Sequence, residues 1–265
     1  MELHEHHEEE TVTDTLVATL HDIRQRPRLI APPSETRPLS LDEAYTVQDR
    51  LRERLLAGGE RVIGWKAGFT NAGLQKTYGV TEPVCGFLLG NGVLSSGAEV
   101  PMSRFSALVV EAEVAFLMRT DLAGPGVTAP RALQAVEGAL PALELVDFRM
   151  SGKPVASDLV ADGVFARAIV LGTMLTPVMH LDLALEGLVY ELSGTIAATN
   201  TAAEVMGSPA NSLAWLANHL GARGLGLRAG DIVMSGSVSL LLRPKAGDVV
   251  RATYARLGSV SASFV

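Results

Sequence analysis

The sequence predicts an α+β fold, with a tail and helical segment over residues 1–60 and a β-rich domain over residues 61–265. Three observations predict it. Apolar residues recur at helical spacing in two early segments, the period shortens to that of strands from Arg61 onward, and glycine-bearing turns separate those strands. With 48% hydrophobic and 19% charged residues, the chain can bury a full core.

The opening MELHEHHEEE is acidic and without apolar periodicity, so it reads as a frayed tail. His4, His6 and His7 in it could capture metal only adventitiously, because nothing rigid orients them. From Thr13 to about Arg26, Leu16, Val17, Leu20 and Ile23 recur at helical spacing, and Ser40 to Leu56 repeats the pattern. Ser40 followed by Glu43 is a capping box. Strands follow in RVIGWKAGFT, VVEAEVAFLM, PALELVDF, FARAIVLG, DIVMSGSVSL and DVVRATYARLGSVSASFV. Helical patterns interrupt them at Ala129 to Gly138 and at Pro209 to Leu220.

Composition excludes several classes. A net charge of -7 without a basic cluster argues against a nucleic-acid partner. The single cysteine, Cys85, allows no intrachain disulfide, and the N-terminus lacks the apolar run of a signal peptide, so the expected location is the cytoplasm. Stretches such as Ala166 to Leu175 fall short of the ~20 residues that span a bilayer, so no membrane partner is expected. No nucleotide-binding or α/β-hydrolase motif stands in a strand-turn-helix context.

The chemistry lies in the carboxylates. Alternation along VVEAEVAFLM sends Glu111 and Glu113 to one face, ~7 Å apart on an otherwise apolar strand. Such like charges repel and lose hydration, and a divalent cation reverses that cost. A solvated surface pair is the competing explanation for an isolated E-x-E. The lone Glu144 in the apolar PALELVDFRM shifts the balance toward one hard cation that leaves positions open for a chelating substrate. Lys66 shares a strand face with Gly64 and Gly68. It is either a charge for substrate carboxylate or proton transfer, or an edge-strand lysine that discourages aggregation.

The strings GWKAGFT, GVTEPVCGFL, VEAEVAFLM, PALELVDFR, PANSLAWLANHL, AGDIVMSG and LGSVSASFV, in this order, resemble the 2-oxopent-4-enoate hydratase and 4-oxalocrotonate decarboxylase family of the fumarylacetoacetate hydrolase superfamily. The resemblance implies a mixed β-roll core with an N-terminal helical segment, Mg²⁺ or Mn²⁺, a small unsaturated 2-oxo acid substrate, and a homo-oligomer or a complex with a related hydratase or decarboxylase. It also implies Glu111, Glu113 and Glu144 as metal ligands and Lys66 and Arg149 as catalytic residues; the competing explanation for Arg149 is a pair with Asp147. Val84, Cys85, Asp162 and Ser235 are its pocket residues.

Three departures from the family pattern stand out. Phe148 replaces a serine before Arg149, Gly163, Val164 and Phe165 replace N-A-S after Asp162, and Ser208 replaces the histidine of G-H-P. Where hydratases of the family carry an acid after E-P, this chain has Val84 and Cys85, and PVCGFL with Gly124, Pro125 and Gly126 is closer to decarboxylase members. The expectation is a 4-oxalocrotonate-type decarboxylase acting through a metal-stabilised enolate, with a vinylpyruvate-type hydratase as the alternative. Acylpyruvate hydrolysis ranks third, because His21, His180 and His219 stand away from the acids, and a non-catalytic subunit ranks last.

Overall fold

A computed structural model describes the backbone of residues 2–265 and the side chains of residues 13–265. Helix α1 spans Glu2–Gln25, which corrects the expectation of a frayed tail: glutamate and leucine are good helix formers, and acids in the first turns suit the helix dipole. The side chains of His4, His6 and His7 lie outside the described residues. Helix α2, Leu41–Ala57, starts at the expected capping box: the Glu43 N–H donates to Ser40 Oγ at 3.2 Å, and the Ser40 N–H donates to Glu43 Oε2 at 2.7 Å. Ser40→Ala is therefore expected to cost about 1 kcal/mol, read as a lowered urea midpoint with unchanged slope.

The strand body follows in chain order. Strand β1 is Val62–Gly68, helix α3 Ala72–Tyr78, and strands β2, β3 and β4 are Val84–Leu89, Val93–Ser95 and Ala98–Val100. Strand β5 is Leu108–Met118, helix α4 Ala129–Gln134, strand β6 Val136–Asp147, helix α5 Ala156–Ala161 and strand β7 Ala166–Leu171. Strands β8 and β9 are Gly187–Leu192 and Thr195–Thr201, helix α6 is Pro209–Ala222, and strands β10, β11 and β12 are Ile232–Ser237, Val249–Tyr254 and Gly258–Phe264. The helix expected to reach Gly138 stops at Gln134, because from Val136 the chain is already in β6. Asn71 caps α3 by accepting from the Leu74 N–H at 2.9 Å, a signal the strand pattern of RVIGWKAGFT concealed.

Two sheets form. The larger has seven strands in the order β2-β1-β10-β5-β6-β7-β3, and the smaller has five in the order β4-β12-β11-β8-β9. The Tyr190 hydroxyl of β8 donates to the Val110 carbonyl of β5 at 3.0 Å, tying one sheet to the other. One apolar core runs from Leu20 and Ile23 of α1 through Leu51 of α2 to Phe116, Leu143 and Phe264 of the sheets. No helix is long and apolar enough to cross a membrane among the described residues.

Candidate active site

Register decides which side chains meet. In the antiparallel β5–β6 pair Glu111 stands opposite Glu144, and Glu113 opposite Ala142, so all three glutamates leave the same face. Each offers a carboxylate oxygen within 4.8 Å of the others. Glu113 and Glu144 are fully buried, which removes the solvated-surface explanation. Strand β1 lies between β2 and β10, so Lys66 is not on an edge strand, and it is only 3% exposed. The Lys66 ammonium donates to Glu144 Oε1 at 2.6 Å and to the Val164 carbonyl at 3.2 Å.

Two buried acids, a third that is half-buried and one ammonium leave negative charge uncompensated. Burial raises Glu111 to about 7 despite the Lys66 ammonium, with Glu144 adding to the rise. Burial, then Glu144 and Glu111, push Glu113 well above the ordinary carboxylate range. For Lys66, burial favours the neutral amine, but Glu144, Glu111 and Glu113 together outweigh it and hold the ammonium. Glu113 Oε2 accepts from the Gly236 N–H at 2.8 Å, whereas Glu113 Oε1 and Glu144 Oε2 are buried without a hydrogen-bond partner. Orphaned carboxylate oxygens converging at this spacing fit a hard divalent cation, whose ligands are oxygens.

Glu111 and Lys66 line a cavity of about 280 Å³, with Glu113 and Glu144 close beside Glu111. Lys66, Thr70, Asn71, Tyr78, Glu111, Ser237 and Ser239 are its polar lining residues. Beyond Glu144 on β6, alternation carries the same face to Val146 and Phe148, and there the wall is completed by Leu159, Phe165, Leu240 and Leu241. The Phe148 and Phe165 rings pack at 5.1 Å between centroids. Two of the sequence departures thus meet as one aromatic contact. The residues Gly163, Val164 and Phe165 all have positive φ, 67°, 56° and 57°. For a β-branched and an aromatic side chain this costs about 1–3 kcal/mol each and persists only where the surroundings impose it. Gly86 makes the approach possible, since a Cβ there would lie 2.4 Å from the Gly163 carbonyl oxygen.

Five of the expected catalytic and pocket residues do not line this cavity. The Arg149 guanidinium is fully buried, pairs with Asp162 and with Asp147 at 3.3 Å, and donates to the Ala166 carbonyl at 2.9 Å. It holds a turn instead of facing the space beside Lys66. Asp162 is occupied by Arg149 and Arg24. Cys85 follows Val84 by one residue and therefore faces the opposite side of β2, where its backbone meets Tyr45 and Gln48 of α2, and burial pushes its thiol up. Ser235 likewise faces away: its hydroxyl donates to the Val114 carbonyl at 2.7 Å, and its carbonyl accepts from Ser212 of α6. A β-bulge between Met234 and Ser237 breaks the alternation, so Ser237, opposite Glu113, takes the position by the glutamates. Val84 is on the Lys66 side but stands behind Gly68 and Val164. His219 is sandwiched by Tyr45 and Trp215, away from the acids.

A two-sheet α+β fold with a largely buried carboxylate triad and a charged lysine at a cavity defines a metal-binding enzyme class. A model of the fumarylacetoacetate (FAA) hydrolase C-terminal domain matches residues 67–265, and the chain belongs to that family. Its curated relatives are lyases. The chain is 34% identical to 2-hydroxyhexa-2,4-dienoate hydratase of Comamonas testosteroni, over 92% of this chain and 94% of that one. It is 33% identical to 4-oxalocrotonate decarboxylase of Pseudomonas sp. strain CF600, over 86% of each. Among solved structures, 4-oxalocrotonate decarboxylase from Pseudomonas putida G7, complexed with magnesium and adipate, superposes with a TM-score of 0.92 at 28% identity, covering 97% of this chain and 98% of that one.

Proposed function

We propose that this lyase removes carbon dioxide from the far end of an unsaturated 2-oxo diacid, with Glu111, Glu113 and Glu144 holding Mg²⁺ or Mn²⁺ at the near end. The observation that carries the reading is the wall beyond the glutamates: Val146, Phe148, Leu159, Phe165, Leu240 and Leu241 present no group that can activate water. When bound, a divalent ion supplies Lewis-acid polarisation of the 2-oxo group. The Lys66 ammonium anchors the adjacent carboxylate. Phe148 and Phe165 strip water from the distal carboxylate, and loss of neutral carbon dioxide relieves that desolvation. The bonding electrons pass along the conjugated chain toward the 2-oxo group, and one proton returned to carbon completes the balance. The adipate held by the Pseudomonas putida G7 enzyme, itself a diacid, supports this choice.

A second reading is hydration of a 2-hydroxydienoate. Lys66 is the only cation lining the cavity among the described residues, so a second carboxylate meets no counter-charge, and a monoacid substrate avoids that cost. A 2-oxo-enedioate and a 2-hydroxydienoate offered separately with Mg²⁺, followed by carbon dioxide release and ultraviolet absorbance, decide between them. Carbon dioxide from the first with no water added to the second is the expected result, and the reverse pattern establishes the hydratase.

A further inference from the structure

We propose that Arg24, on α1 and outside the segment that the family model matches, is a positioning residue of the active site. It acts through the left-handed turn at Gly163, Val164 and Phe165. Arg24 is 4% exposed and reaches across from the first helix to three acceptors around that turn. Its Nε donates to Asp162 Oδ1 at 3.1 Å, one terminal nitrogen donates to the Asp162 carbonyl, and the other donates to the Ala166 carbonyl at 3.4 Å. Arg149 grips the same two residues from just beyond β6, through Asp162 Oδ2 and the Ala166 carbonyl. Two guanidinium forks thus each tie together Asp162 and Ala166, the residues that flank the strained segment.

What the turn presents to the cavity makes this more than a structural tie. The Val164 carbonyl accepts from the Lys66 ammonium, and the Val164 and Phe165 side chains form part of the wall. A residue cannot hold a disfavoured left-handed conformation by itself, so removal of one fork lets the turn relax toward ordinary backbone angles. Lys66 then loses its carbonyl partner and Phe165 its place against Phe148. The glutamates stand on β5 and β6, paired through eleven register positions, and do not depend on the turn. The inference concerns the shape of the cavity and holds for either reaction considered above. It uses only the reading that the cavity takes a 2-oxo acid.

Arg24→Met and Arg24→Lys test it in the full chain. Arg24→Lys keeps the charge without the planar fork and is the informative variant should Arg24→Met not fold. In hydrogen exchange by mass spectrometry, the peptide covering residues 162–166 is expected to exchange at least about tenfold faster in Arg24→Met, with β5 and β6 unchanged and Arg24→Lys between the two. Calorimetry is expected to leave Mg²⁺ affinity within about threefold while binding of 2-oxoadipate, a saturated 2-oxo diacid, weakens by about tenfold or more. Unchanged exchange at the turn, or equal acceleration throughout the sheets, overturns the proposal, as does wild-type 2-oxoadipate affinity in a variant whose turn has loosened. If the wild-type protein itself does not bind 2-oxoadipate, the reading of the cavity fails, and the exchange comparison alone decides the role of Arg24.

Discussion

Glu113→Gln is expected to weaken Mg²⁺ binding by at least about 100-fold and to reduce turnover in proportion, while the metal-free protein becomes more stable. The first expectation follows from ligand loss, since even removal of a group that merely orients a ligand costs 10–100-fold in affinity. The second follows from charge. Glu113 is fully buried, one oxygen has no partner, and its neighbours Glu111 and Glu144 are also acids. A neutral amide removes the repulsion and keeps an oxygen for the Gly236 N–H. Isothermal calorimetry and urea unfolding with and without Mg²⁺ check both halves. Unchanged Mg²⁺ affinity in the variant would remove the metal site.

The same cluster fixes a pH dependence. Burial raises Glu111 to about 7 and pushes Glu113 up in the same direction, whereas the unfolded chain has the ordinary value of 4.5. Between those values the folded state holds more protons than the unfolded state, so unfolding free energy falls as pH rises. The contribution is complete below the unfolded value and is lost as pH passes through the folded ones. Metal-free protein is therefore expected to weaken from about pH 5 to pH 8, and Mg²⁺ to restore it at the upper end. Denaturation midpoints across that range test the slope, which Glu113→Gln should flatten.

Strand alternation made the near end of the site legible from sequence. It placed Glu111 and Glu113 on one face, and Glu144 could be added because a lone acid in an apolar strand demands an explanation. Alternation also contained the correction for Cys85, which is one residue from Val84 on the Lys66 side, whereas Ser235 and Ser237 are parted by a β-bulge that alternation alone does not reveal. The far end was not legible, because it is assembled from separate segments. Leu159 comes from α5, Phe148 follows β6, Phe165 comes from a turn, and Leu240 follows β10, and no periodicity links them. Arg149 stood close to the site in sequence, but a guanidinium between Asp147 and Asp162 is held by those two acids, and only the fold shows that both are within reach.

Lys66→Met should separate chemistry from metal binding. The edge-strand explanation for this lysine fails because β1 is interior to the sheet and the side chain is buried. What remains is an ammonium 2.6 Å from Glu144, lining a cavity that Glu111 also borders. Removing it leaves Glu144 as a buried carboxylate without its cation, which is expected to destabilise the metal-free protein by about 3–5 kcal/mol. Mg²⁺ neutralises the same carboxylate, so the deficit is expected to shrink as metal is added, and Mg²⁺ affinity to hold or rise because a competing cation has gone. Turnover is not expected to recover. A methionine can neither anchor a substrate carboxylate nor carry a proton, and losses of this kind are about 10²–10⁴-fold. The variant is thus the converse of Glu113→Gln, retaining metal while losing catalysis. Saturating Mg²⁺ titrations followed by turnover assays on the same samples make the comparison. Turnover restored along with stability would assign Lys66 to charge balance among the glutamates alone and leave the substrate carboxylate to be held by Thr70, Asn71, Ser237 or Ser239.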